Sequence, residues 1–218
     1  MLLKQLSTDD KRDFLCIAEL LSIADKPVSL LGKDVLVASA LGDALLRETM
    51  APMFSVFMKK TPARKTPAWT ISSIQRNERE SMAMAELVSV CEKDTGVIKD
   101  GESGQMNHKD IESALVKRIG RLPIEKIEVP AARATVALDV LRELLKGRKA
   151  PVPSVPKVML FELMLFVLVK GSISSIEWQL LNEFRHHHQL ESHIFNDLLE
   201  RAEFTHREAQ KTLAIILE

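Results

Sequence analysis

Tyrosine is absent from the chain, tryptophan occurs twice, and aromatic residues make up only 5% of it. Sheets are rich in aromatic and β-branched residues, so this shortage points towards helices packed through Leu and Met. The two cysteines, Cys16 and Cys91, both fall within apolar helical patterns. That is too few for a disulfide framework and suits a reducing compartment. Net charge is missing too, because 30 basic and 30 acidic residues cancel. No global field then draws the protein to nucleic acid or to an anionic membrane, and no nucleic-acid partner is expected. A long hydrophobic run is also lacking. The most apolar stretch, Val158 to Val169, carries Glu162 and falls short of the ~20 residues that span a bilayer, so it reads as a core helix. The opening MLLKQLSTDDKRDF brings charge before any apolar run, so no secretory leader is expected and the location reads as cytoplasmic.

What is present suffices for a core: 46% of residues are hydrophobic and 28% charged. The spacing predicts a helix over Thr8–Ala24, capped by Ser7 or Thr8, with Asp9 and Asp10 at its positive start and Phe14, Ile17, Ala18 and Leu21 on one face. After Asp25-Lys26-Pro27 a second helix is predicted from Ser29 to Met50, and MFSVFMKK reads as a short helix among Pro52, Pro62 and Pro67. A long helix follows from Ile71 to Lys93, with Met82, Leu87, Val90 and Cys91 facing inward. Gly96, Gly101 and Gly104 mark a loop. Asn107 caps a helix to Ile119, and another runs from Ala131 to Leu145, ended by Gly147. Three prolines in Arg148–Pro156 make that segment the clearest linker. Helices are then expected at Lys157–Val169, Ser174–His187, Glu191–Ala202 and Thr205–Leu217, the last with a Thr205/Glu208 capping box. The fold class is all-α: a bundle of seven to nine helices in a single domain over 1–218, with a subdivision into 1–147 and 157–218 as the alternative.

Two segments share a construction. FLCIAELLSIADKPVSLLGKDVL starts at Phe14 and VMLFELMLFVLVKGSISSIEWQLL at Val158. Each is an apolar helix, a tight break, a Val-Ser or Ile-Ser pair, and a second helical pattern. Asp25 aligns with Lys170, Val28 with Ile173, Ser29 with Ser174 and Gly32 with Glu177. The serine suits the N-cap of the second helix, and the Val or Ile before it suits a hydrophobic staple. With these residues the chain resembles the tellurite-resistance TerB-like family, best over Met159 to Ala202 and less well over Phe14 to Val37. The resemblance implies a helical fold in which the two hairpins pack together, a place in a bacterial stress response, and a metal site gathered from acidic residues of both halves. Here each copy keeps one acid, Asp25 and Glu177, while Lys170 and Gly32 stand where others would be. Two readings stay open. Asp25 and Glu177 together hold Ca²⁺ or Mg²⁺ through oxygen ligands and waters, or Lys170 forms a salt bridge with one of them.

His186-His187-His188 with His193 is the other cluster to weigh. Successive helical residues diverge by about 100°, so adjacent imidazoles cannot share one ion, but His188 and His193 would converge if the chain turns at Gln189. The competing reading is a polar helix end that tolerates positive charge. The basic segment Lys59–Lys65 offers phosphate neutralisation or peripheral membrane contact, against the plainer reading of a solvated loop. Asp94–Glu102 lacks the spacing of a calcium loop, and no G-x-S-x-G, P-loop, G-x-G-x-x-G or H-E-x-x-H motif occurs. Function therefore reads first as a non-catalytic TerB-like adaptor or sensor, modulated by a divalent cation. An ion-independent module that binds a protein partner or itself is second, and a metal enzyme built on the His cluster is third.

Overall fold

A computed structural model describes residues 2–31, 70–95, 106–148 and 152–217. Among them the protein is all-α, with eight α-helices and one two-stranded ladder. A 3-10 turn, Leu2–Gln5, precedes α1 at Thr8–Ala24. The strands β1 (Val28–Leu31) and β2 (Thr70–Ile74) pair with each other. There follow α2 (Glu78–Thr95), α3 (His108–Ile119), the single turn α4 (Ile124–Ile127), α5 (Pro130–Leu145), α6 (Ser154–Leu168), α7 (Ser175–His187) and α8 (Ser192–Leu217). The chain divides into two compact units, one of Met1–Pro27 with Ile74–Glu218 and one of Val28–Ser73. The helices on both sides of the Pro-rich segment lie in the first.

Helix α1 starts where its sequence says it should. Ser7 Oγ accepts from the Asp10 amide, and Asp10 Oδ2 accepts from the Ser7 amide and hydroxyl. From Phe14 to Ala24 every side chain is buried, including Glu19 and Ser22. A helix that is apolar all round must be enclosed. Accordingly α1 is the central element of the first unit, packed against α2, α3, α5, α6 and α7. The second enclosed helix is α6, which meets α8 along its length and carries Glu162 into the core, where its carboxylate accepts the Leu2 amide. The first and last apolar helices thus lie side by side.

Several expectations need correction. Ser29 is not an N-cap, because Val28–Leu31 is a strand, and the remainder of the expected second helix lies outside the described residues. Residues 70–74 form β2, so α2 begins only at Glu78. On α2, Leu87 and Cys91 are buried with Met84, while Met82 faces solvent and Val90 is half-buried. The Pro-rich segment is not extended throughout, since α6 begins at Ser154 and Pro156 is buried in its first turn. Finally, α8 runs unbroken through Thr205, whose hydroxyl donates back to the Arg201 carbonyl at 2.8 Å instead of capping a new helix. The segment MFSVFMKK, the basic stretch Lys59–Lys65 and the glycine-rich loop over 96–105 lie outside the described residues.

Candidate functional site

The densest polar cluster forms where α1 ends, α2 begins and the α6–α7 turn closes. Asp25 is the C-cap of α1. Lys170 sits in the turn after α6, next to Gly171, whose φ of +95° lets the chain reverse. Ser174 caps α7, its Oγ accepting the Glu177 amide at 3.3 Å while Glu177 Oε2 accepts the Ser174 amide at 2.7 Å. Glu177 is therefore held by its own capping box, only 1% exposed.

Lys170 bridges the two acids that the resemblance singles out. Its Nζ lies 2.9 Å from Asp25 Oδ2 and 2.7 Å from Glu177 Oε2, with Glu80 Oε1 further off at 3.8 Å. Lys26 joins the cluster, donating to Glu80 Oε1 at 2.9 Å and lying 2.6 Å from Glu80 Oε2 and 3.2 Å from Asp25 Oδ1. Arg133, buried on α5, donates to the Ala24 carbonyl at 3.1 Å and to the Lys26 carbonyl. It thereby satisfies carbonyls at the negative end of α1. Three carboxylates and three cations interlock here, and their formal charges cancel.

The electrostatics follow from that geometry. Burial works against a charged Asp25, but the hydrogen bond and charge of Lys170, with Lys26, outweigh it and hold the carboxyl below its usual value. Lys170 is pushed up: desolvation opposes its charge, and its bonds to Glu177 and Asp25 prevail. At Glu177 burial wins over Lys170 and the Ser174 amide, so its pKa is raised. Burial also lowers that of Arg133.

The structure thus brings Asp25 and Glu177 to one ammonium group. Two carboxylates already sharing a Lys Nζ at hydrogen-bonding distance fit a monovalent, three-donor cation; a hard divalent ion would need six or more oxygens and the displacement of that ammonium. Among the described residues no group of three His, Cys, Asp or Glu is arranged to hold a metal. Sequence reasoning missed Lys26, Glu80 and Arg133. The signals were thin: a Lys next to Asp25, an acid in the first turn of a helix, and an Arg set among alanines on an apolar face.

The histidines gather elsewhere, at the end of α7. Gln189, with φ +54°, supplies the expected turn. His187, His188 and His193 all line a cleft of about 720 Å³ together with Arg148 and Lys157. The two ligands suggested by spacing are engaged differently, however. His188 stacks on Phe184 with centroids 4.5 Å apart, while exposed His193 pairs through Nδ1 with Glu191 at 3.1 Å. Burial, with the His187 charge, lowers the His188 pKa to about 4. Beside the cleft, Arg148 pairs with Asp13 of α1, whose pKa burial raises to about 6 against the pull of that arginine. Burial, with the Asp13 charge, pushes the Cys16 thiol up to about 12, so it is no thiolate nucleophile at neutral pH. No helix among the described residues is long and apolar enough to cross a membrane. No protein-family model matches the chain, and neither does any curated protein or solved structure compared with it.

Proposed function

We propose that this chain is a non-catalytic helical adaptor, of the TerB-like kind its sequence resembles best over Met159 to Ala202, in which Lys170 takes the place of a bound cation. The observation that supports this reading is the position of Lys170 Nζ, within 2.9 Å of Asp25 and 2.7 Å of Glu177. A covalently tethered cation neutralises the acids permanently, so the packing of the α6–α7 turn on the end of α1 needs no ion and does not report one. The adaptor then works through contacts with a protein partner, independent of Ca²⁺ or Mg²⁺. A role in a bacterial stress response belongs to the same proposal and comes from the resemblance alone.

The reading is tested by thermal unfolding with and without divalent ions. Millimolar Ca²⁺ or Mg²⁺ is expected to leave the wild-type Tm where an ionic-strength control leaves it. In the Lys170→Asp variant the same ions are expected to raise Tm, because Asp25, Glu80 and Glu177 then gain a fourth carboxylate and lose the Lys170 ammonium, leaving only that of Lys26. A saturable stabilisation of the wild type that disappears in Asp25→Asn would sink the ion-independent reading.

A further inference from the structure

The cleft at the end of α7 draws basic side chains from four stretches of chain. Arg148 follows α5, Lys157 stands in the opening turn of α6, His187 ends α7 and His193 begins α8. Glu191 is the one carboxylate among the described residues that line it. Its volume of about 720 Å³ falls within the range of small-molecule sites. Half-buried Leu190 and Ile194 add an apolar wall.

The donors are placed but not used up. Asp13 engages Arg148 through Nη1, which anchors the guanidinium and leaves further N–H groups of its five. Exposed Lys157 pairs with no carboxylate among the described residues. Each imidazole spends one nitrogen within the protein. His187 Nε2 lies 3.1 Å from the Arg148 carbonyl, which accepts from it, and His193 Nδ1 lies 3.1 Å from Glu191. The other nitrogen of each becomes an N–H donor when the ring is charged.

We infer that this cleft binds a small organic phosphate, with its phosphoryl group against Lys157 and Arg148 and its carbon skeleton against Leu190 and Ile194. The balance of charge in the lining selects an anion. A planar carboxylate is satisfied by a single guanidinium fork, whereas a tetrahedral dianion accepts from several directions, as an Arg and a Lys on different elements supply. The volume selects an ester over the free ion, since inorganic phosphate alone would leave the apolar wall uncovered. This inference does not rest on the adaptor reading, and the ion test at Lys170 comes out the same whether it stands or falls.

The test is an NMR titration of the isotope-labelled full chain with phenyl phosphate, against sodium chloride at matched ionic strength. Saturable shifts are expected at Arg148, Lys157 and the amides of 187–194, with a dissociation constant below about 1 mM. Inorganic phosphate is expected to move the same amides but to bind several-fold more weakly. Lys157→Ala is expected to weaken phenyl phosphate about tenfold without changing Tm, because that side chain is exposed, and Lys157→Arg is expected to keep most of the affinity. Absence of saturable shifts, shifts that the salt control reproduces, or binding indifferent to Lys157→Ala would each overturn the inference. Benzoate binding as tightly as phenyl phosphate would overturn the assignment of a phosphate.

Discussion

Asp13 and His188 line one cavity, of about 310 Å³, and titrate in opposite senses within it. Burial raises the folded-state pKa of Asp13 from an ordinary value near 3.8 to about 6. Between those values the native state holds a proton that the unfolded chain has released, so stability from this group falls as pH rises through that window. His188 does the reverse. Its folded value near 4 lies below the ordinary 6.5, so the unfolded chain takes up a proton first and stability falls as pH drops from 6.5 towards 4. The Asp13 effect is worth about 3 kcal/mol at most, that of His188 is smaller because solvent screens this more open group, and in the wild type they oppose each other. Chemical denaturation across pH 4 to 7 separates them. Asp13→Asn is expected to lose more stability on acidification than the wild type, and His188→Gln to gain stability relative to the wild type over the same range. Parallel profiles for all three proteins would show that neither group is perturbed as described. Arg148 sets a further check: its removal in Arg148→Ala is expected to move the Asp13 carboxyl midpoint above 6, read by carboxyl-carbon NMR.

At the scale of elements, turns matter more than propensities. Gly171 reverses the chain between α6 and α7 at φ +95°, and a Cβ there would meet nothing within 4 Å. Gly171→Ala is therefore expected to cost about 1 to 2 kcal/mol through backbone strain alone, and through no clash. A loss below half a kcal/mol on denaturant unfolding would mean that the turn relaxes. Such local rules are legible in a sequence, and the helices they govern were placed well. Ser7 with Asp10 starts α1, Asn107 with Asp110 starts α3, and Ser174 with Glu177 starts α7, all through capping boxes. The same pattern misled at Thr205 and Glu208. A Thr caps only where its backbone leaves helical geometry, and nothing between Ala202 and Thr205 breaks α8. Ser29 misled for a different reason. Whether Val28–Leu31 pairs as a strand depends on Thr70–Ile74, a partner remote in sequence that no local pattern reveals. The site divides likewise. Asp25, Lys170 and Glu177 stood out through the alignment of two hairpins, whereas Lys26, Glu80 and Arg133 became members only through tertiary packing.

At the scale of the molecule, the first unit is organised around an enclosed α1, and its stability is expected to be distributed accordingly. Phe14 and Leu21 are fully buried, on a helix that contacts five others. Truncating either to Ala leaves a cavity that cannot collapse from every side at once, with a loss of about 3 to 5 kcal/mol. Because those neighbours share α1 as a common wall, loosening it loosens them together, and the amides of α1 and α6 are expected to exchange hydrogen only through global opening of the unit. Residues 203–217 of α8 stand at the other extreme. Apart from half-buried His206 their side chains are exposed, and a helical end with so little burial frays readily. Their amides are expected to exchange at least a hundredfold faster than those of α1 in dilute protein. Hydrogen exchange thus reads the enclosed helix and the overhang at once. Protection of 203–217 equal to that of α1 in dilute protein would mean that the overhang is supported within a single chain, and the division of this molecule into an enclosed centre and an outreaching arm would be wrong.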